Sequence, residues 1–479
     1  MLGNNLLRVS SRDITLNEKE YHYMTDLIVI GAGPAGITAA LEAARLGANV
    51  SLITAEPVGG RANWASLLPS KVYLTAADHL GEAHHNPSLG LSGPLPEPDL
   101  PVLRARIAEL AKARSTDERA RLEESGVKLV PGKAQFVDPH TIEVTPSEGE
   151  CQRITFQQAI IASGSVPVFP PDIRPDGRRI LAPRLAGSLA EWPSHMIVVG
   201  GGVTGAEFAY FFNRMGADVT WVTDVARVLP RVDSDMSELF EATLVGRGVT
   251  VFKDAPVTSV QSSELGVTVT LRDGHPLTGS HGFLALGRRP DLTDLGLEAS
   301  GVETADMRIV VDNYGRTTQP HIYAVGDAAG APFIANRGQA QARIAARHAG
   351  GADTPPFRPD TIIEAVYTQP QLAQVGLTEA DAAREKIAVQ IHRGSYAAAL
   401  KPHLSGDTAG FVKILAAPGS SRILGAGAVG DRAAELLAPV AVAIAAKQPL
   451  STLADIFLAY PSLSEVVGLA ARSPAVSLA

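Results

Sequence analysis

Apolar and polar positions along the chain organise first into two copies of one design. LIVIGAGPAGITAALEAARLGANVSLIT (27–54) and MIVVGGGVTGAEFAYFFNRMGADVTWVT (196–223) each read as an apolar strand, a glycine turn, an amphipathic helix and a second apolar strand. Ile37, Ala40, Leu41 and Ala44 share one helix face in the first copy; Phe208, Phe211, Phe212 and Met215 share one in the second. Gly31 to Thr54 and Gly200 to Thr223 span the same 23 positions. Each copy predicts a βαβ start. A unit of this length recurring once implies two nucleotide-binding domains rather than a solenoid.

Between the copies, the charged stretch 103–126 predicts a helix and 127–144 alternates like a small sheet. A second β-rich run follows residue 223, and a Pro-rich boundary lies at 352–360. Beyond it, strand-like IIEAVYT, GFVKILAA and RILGAGAVG precede helices expected at 431–447 and 462–471, which predicts a separate α+β unit.

Composition adds limits. A chain of 479 residues implies roughly three or four units. Hydrophobic residues make up 45%, charged residues 19% and aromatics 5%, with 45 glycines, which fits a globular α/β protein rather than a disordered one. A net charge of -8 offers no attraction to nucleic acid or anionic lipid. The longest apolar stretch, 436–446, falls short of the ~20 residues a spanning helix needs, so a soluble, cytoplasmic protein without a membrane span is expected. Residues 1–24 lack a secretory core. Arg8 and Arg12 without an early acid keep organelle import open beside a start at Met24.

The single cysteine, Cys151, precludes an intramolecular disulfide and reads as an inert surface thiol. His84 and His85 are adjacent without the spacing of a helical metal site and read as loop, so no metal is expected. The run TDERARLEES reads as a solvated helix face.

Gly31, Gly33 and Gly36 follow an apolar strand and open a helix, the context that makes G-x-G-x-x-G specific for a dinucleotide. The first glycine permits the turn, the second admits a pyrophosphate, the third lets helix and strand pack, and the helix N-terminus meets the phosphate charge. Gly200, Gly202 and Gly205 repeat the pattern. Such units normally end their second strand in an acid that holds a ribose. Here Thr54 and Thr223 stand in that place, with Glu56 and Asp224 as candidate substitutes. Asp224 would repel a 2′-phosphate and Arg227 attract one, which leaves NAD and NADP open with the acid favouring NAD.

GAGPAG, GG…PSK, ASGSVP, GGGVTGAE, LGRRP, YAVGDAA and the closing YPSLSE occur in order. Together they make the chain from about residue 25 resemble the flavin-dependent pyridine nucleotide–disulfide oxidoreductases, dihydrolipoamide dehydrogenase and its quinone-reducing and transhydrogenase-like relatives in particular. The resemblance implies an α/β fold with two Rossmann-like dinucleotide-binding domains and a C-terminal α+β dimerisation domain. The implied boundaries are an extension at 1–24, a FAD-binding domain at 25–165 continued at 285–356, a NAD(P)-binding domain at 166–284 and a dimerisation domain at 357–479.

It further implies FAD on the first glycine motif and NAD(P)H on the second. Asp327 would bind the ribityl chain, the Ala134 backbone would face the adenine, and Ala335 would face the flavin pyrimidine at a helix N-terminus. Gly60, Ser163, Gly287 and Gly326 fall in the same cofactor-binding motifs. Lys71 and Glu207 match an ion pair beside the flavin N5, so hydride transfer from NAD(P)H is expected to be intact.

The family's second half-reaction needs a thiolate pair. Ala62 and Leu67 stand where those cysteines belong. Tyr460 replaces the family's C-terminal histidine while Glu465 is kept, and a phenol with a pKa near ~10 is a poor proton shuttle at neutral pH. A disulfide reductase is therefore excluded unless a partner supplies thiols. Trp64, Leu67, Leu68 and Tyr460, the last with Glu465 from the other subunit of a homodimer, are expected to form an acceptor pocket for a quinone or similar small molecule; Leu67 as mere filling of the space left by sulfur is an equal reading. Transhydrogenation, donation to a protein carrier, and a non-catalytic flavin-binding sensor are the alternatives.

Overall fold

A computed structural model of the chain describes residues 22–84, 86–184 and 189–477. The predicted N-terminal extension, as far as residue 21, and His85 lie outside the described residues.

Both predicted βαβ starts form. In the first, His22–Ile30 lies parallel to Val50–Thr54, with Leu27 opposite Val50 and Ile30 opposite Ile53, and the helix Pro34–Arg45 crosses between them. On its other side the same strand runs parallel to Gln152–Ile161. Lys128–Pro131 adds one edge, and Thr141–Thr145 with Lys133–Asp138 folds antiparallel onto the other. Ile322–Ala324 returns from late in the chain to pair with Gln152–Ile161, so this sheet is closed by a strand more than 150 positions away from its partner.

In the second copy the order is Thr250–Phe252, Asp218–Val222, His195–Val199, His281–Leu284 and Ile180–Leu181, parallel throughout. The helix Val203–Arg214 buries Phe208, Phe211 and Phe212 as its periodicity predicted, with Phe208 stacked on Phe283 at 4.0 Å between ring centroids. A two-stranded ribbon, Ser165–Pro167 with Arg288–Pro290, lies where the chain leaves one sheet for the other and where it returns.

The third sheet has six strands, all antiparallel, in the order Glu364–Val366, Gln371–Gly376, Ile423–Gly430, Phe411–Ala416, Gln390–Ser395 and Val476–Ser477. The helix expected at 431–447 is two, Ala433–Leu436 and Ala438–Ala445, broken where Pro439 enters the first turn of the second; the one expected at 462–471 starts at Glu465. No helix among the described residues is long and apolar enough to cross a membrane.

One core joins all three parts. Tyr73 and Leu74, from the helix Leu67–Ala83, pack with Phe208, Phe211 and Phe212 and with Leu372 and Val429 of the third sheet. That shared packing brings the PSK helix against the helix of the second glycine turn.

Candidate active site

The two glycine turns have the same construction. Gly31 (φ +102°) and Gly200 (φ +123°) adopt a backbone that L side chains rarely take, and a Cβ on either would press on a carbonyl, of Ala162 or Ala285. A Cβ on Gly36 or Gly205 would press on the carbonyl of the first glycine of its own motif. At Gly33 and Gly202 a Cβ would meet nothing within 4 Å. Two of the three glycines are thus demanded by the protein's own packing. The middle one fronts open space at a helix N-terminus, which is room for a pyrophosphate.

The first cleft fits FAD on further grounds. Gly59 N donates to Ala32 O at 2.9 Å, which docks the GG turn, Gly60 included, on the G-x-G loop. Ser163 Oγ is buried without a hydrogen-bond partner, a vacancy that a polar cofactor atom would fill. Asp327 accepts a short hydrogen bond from Ser165 Oγ, and Ser165 Oγ in turn accepts from Arg288 Nε at 2.8 Å. Gly326, which precedes it, takes φ +64° and donates its N–H to Gln341 Oε1 at 3.0 Å. Ala134 is buried in the strand Lys133–Asp138, and Gly287 (φ +96°) turns the chain into the ribbon. Ala335 begins the helix Ala335–Ala349, whose N-terminus faces the same region as Lys71.

Neither threonine at the ribose position is free. Thr54 Oγ1 donates to Glu56 O at 2.7 Å, and Thr223 Oγ1 packs over Gly201 and accepts from Val225 N at 3.4 Å. The Glu56 carboxylate is held by Arg61 Nε at 2.8 Å, and Arg61 also pairs with Asp291 at 2.6 Å. Beside the second turn, Asp224 is exposed, whereas Arg227 donates to Val232 O at 2.9 Å, Ser237 Oγ at 3.1 Å and Pro230 O at 3.2 Å.

Lys71 and Glu207 meet. Nζ donates to both carboxylate oxygens, at 2.7 and 2.9 Å, with the lysine one-third exposed and the glutamate buried to 6%. Tyr367, which the sequence reading missed, completes the pair: its N–H donates to Glu207 Oε1 at 3.2 Å and its ring lies 4.6 Å under Lys71 Nζ. Burial, with the charges of Glu435 and Glu207, raises the Tyr367 pKa. Its position directly after the strand Glu364–Val366 was the available signal, but only the packing of the third sheet on the second carries it to Lys71.

Lys71 and Ala335 line a cleft of about 780 Å³. Ala62, Leu67 and Leu68 line it, with Leu41 and Ile37 from the first glycine-turn helix. A further wall is the helix Leu100–Glu124, through Leu103, Leu110, Glu118 and Arg121. The sequence marks the run TDERARLEES of this helix as a solvated face; most of that run is exposed, but its Glu118 and Arg121 line the cleft. Trp64 is not in the wall: it is 39% exposed and turns its indole N–H back to Val58 O at 3.1 Å. Tyr460 and Glu465 do not reach the cleft within the chain. Tyr460 is 73% exposed, and Glu465 Oε2 accepts from Ser462 N at 3.2 Å. Cys151 is an exposed free thiol, and His84 Nδ1 lies 2.8 Å from Leu80 O at a helix end.

Comparison with known proteins agrees with this construction. Residues 25–350 match the pyridine nucleotide-disulphide oxidoreductase family and residues 362–471 its dimerisation domain. An NAD(P)H dehydrogenase (quinone) from Mycobacterium tuberculosis is 33% identical over 461 residues, 94% of each chain. A dihydrolipoyl dehydrogenase from Chlorobaculum tepidum is 33% identical over 451 residues, 93% of this chain and 96% of that one. Among solved structures, LpdA from Mycobacterium tuberculosis superimposes with a TM-score of 0.89 at 34% identity, covering 93% of this chain and 99% of that one. The HOCl-induced flavoprotein disulfide reductase RclA from Escherichia coli superimposes at 0.82 and 25% identity, covering 93% and 99%. The family is FAD-dependent and uses NAD(P)H. This chain, an α/β protein with Rossmann-type nucleotide-binding folds, a C-terminal dimerisation domain and a single cysteine, belongs to the pyridine nucleotide-disulphide oxidoreductase family.

Proposed function

We propose that the protein oxidises NADH and delivers the electrons to a small, flat acceptor, most simply a quinone, without a thiol relay. The observation that carries this reading is the cleft running out from Lys71: where a disulfide reductase needs two sulfurs, its wall has Ala62 and Leu67, continued by Leu68, Leu41 and Leu103. Such an apolar stretch of wall favours an apolar aromatic body over a peptide-like thiol.

The first glycine turn, Ser163 and Asp327 would hold FAD, which when bound accepts hydride from the nicotinamide and returns two electrons to an acceptor. The chain's own contribution is placement. Gly200, Gly202 and Gly205 would seat the dinucleotide pyrophosphate. The Lys71–Glu207 pair, fixed by Tyr367, sets a compact charge pair that links the wall of the acceptor slot to the helix of the second glycine turn. In a homodimer, which the dimerisation domain supports, Tyr460 of the partner subunit would offer a hydroxyl to the acceptor carbonyl. A quinone taking up the two electrons also needs two protons to leave as quinol. One derives from solvent and one from the hydride itself.

Cofactor preference follows from the loop after Thr223. Arg227 is engaged by two carbonyls of its own loop and by Ser237 Oγ of the helix that follows, and is not free to pair with a 2′-phosphate, while exposed Asp224 opposes one. NADH is therefore the expected donor, with kcat/KM at least ~10-fold above NADPH. Anaerobic stopped-flow reduction by each nucleotide, followed by mixing with a benzoquinone or naphthoquinone, tests the whole reading. Rapid bleaching of the flavin band by NADH, no long-wavelength thiolate band, and reoxidation by quinone are expected. A reduced enzyme that quinones fail to reoxidise would sink it.

A further inference from the structure

A second concavity, of about 420 Å³, lies beside the ribbon and is lined by its Pro167 and Arg289. Three arginines converge on it, Arg174, Arg184 and Arg289, over an apolar floor of Pro167, Phe169 and Pro175. None of the three has an ion-pair partner among the described residues. Two of the nearby carboxylates are engaged elsewhere: Asp176 accepts from the backbone N–H groups of Arg178, Arg179 and Ile180 at 2.8, 3.0 and 2.8 Å, and Asp291 holds Arg61; Asp172, two positions before Arg174, is exposed. In a chain of net charge -8, three unpaired guanidinium groups around one hollow repel one another unless an anion joins them. Arginine forks match phosphate oxygens two at a time, and the Phe169 ring with two prolines offers a flat apolar seat.

We propose that this hollow binds a small phosphorylated ligand with a planar ring, of the nucleoside monophosphate class, separately from both dinucleotide clefts. The site is placed to sense or set the flavin cleft. Alternation along the strand Arg288–Pro290 sends adjacent side chains to opposite faces: Arg288 reaches Ser165, which holds Asp327, while Arg289 lines the hollow.

Titration calorimetry on the FAD-loaded full chain, in saturating NAD+ to fill the second cleft, tests this with AMP, adenosine and inorganic phosphate as probes. AMP is expected to bind once per chain, with inorganic phosphate and adenosine each at least ~10-fold weaker. R174E and R184E, both at exposed positions, should each weaken AMP at least ~10-fold while leaving the melting temperature unchanged, and R174K, which keeps the charge and loses the fork, should weaken it less than R174E does. Absence of AMP binding under NAD+, affinity unaltered in both charge reversals, or adenosine or phosphate binding as tightly as AMP would overturn the proposal. None of these outcomes bears on whether NADH reduces the flavin.

Discussion

Lys71 and Glu207 stand 136 positions apart in the chain and face each other across a helix pair, so either one alone is a liability. Removing the lysine leaves a carboxylate buried to 6% with one N–H, from Tyr367, as its remaining hydrogen bond. K71M is therefore expected to slow flavin reduction by NADH about 10- to 100-fold and to lower stability by about 1–3 kcal/mol, whereas E207Q, which keeps the shape and one acceptor, should lose rate with a smaller loss of stability. Single-turnover reduction and urea unfolding on the same preparations separate the two effects. Y367L is the finer probe: it keeps the backbone N–H and removes the ring under Nζ, so a several-fold fall in reduction rate without a change in unfolding midpoint is expected. Both charged residues were legible because each lies in a short motif with fixed neighbours. Tyr367 was not, since an aromatic after a short strand reads as core, and its role comes from where the third sheet carries it.

At the scale of elements, the second glycine-turn helix buries Phe208, Phe211 and Phe212 of its predicted face, while the first buries Ile37 and Ala40 but leaves Leu41 and Ala44 half-buried. The helix Leu100–Glu124 shows where such reading stops. Its surface is mostly charged, and i to i+3 or i+4 pairs such as Arg114–Glu118 and Arg121–Glu118 satisfy it locally, so nothing in its pattern marks the side that walls the acceptor cleft. The first glycine-turn helix also carries a testable ionic contact. Glu42 accepts from Arg45 at 2.7 Å and from Arg347, on the helix Ala335–Ala349, at 2.6 Å. Hydrogen bonds from Arg45 first, then from Arg347, hold its pKa below the usual 4.5 against the opposing effect of burial. A carboxyl whose folded pKa is lowered stabilises the fold above its unfolded pKa and loses that contribution as pH falls through the folded one. The stability gap between wild type and E42Q, on the order of 1 kcal/mol at pH 7, should persist to about pH 5 and close below about pH 4. Denaturant midpoints measured across that range check it; a gap independent of pH would show that the arginines contribute only packing.

Across the whole molecule, the sequence separates the C-terminal unit cleanly, by its Pro-rich boundary and its change of pattern, but hides how firmly that unit is joined to the rest. Beside the shared apolar core, the join has a buried ionic part. Lys413, in the otherwise apolar strand Phe411–Ala416, is 0% exposed and contacts Asp233 at 2.9 Å, Asp235 at 2.7 Å and Glu379 at 2.6 Å. Two of these acids belong to the loop and helix after the second glycine unit, and the third opens a helix of the third sheet's own region. Burial by itself would lower the lysine pKa; the three carboxylates outweigh it and raise the value above 10.5. Its stabilising contribution is thus complete below the unfolded pKa and disappears only as pH rises through the higher folded one. K413M would leave three acids crowded together without a cation, and a loss of about 3–5 kcal/mol at pH 7 is expected. The deficit should largely vanish when D233N, D235N and E379Q accompany K413M, because the cost lies in the uncompensated charges rather than in the missing side chain. The same sheet delivers Tyr367 to the Lys71–Glu207 pair. A K413M protein that stays folded should therefore also reduce its flavin more slowly, and recovery of that rate in the quadruple variant would tie the junction to the active site.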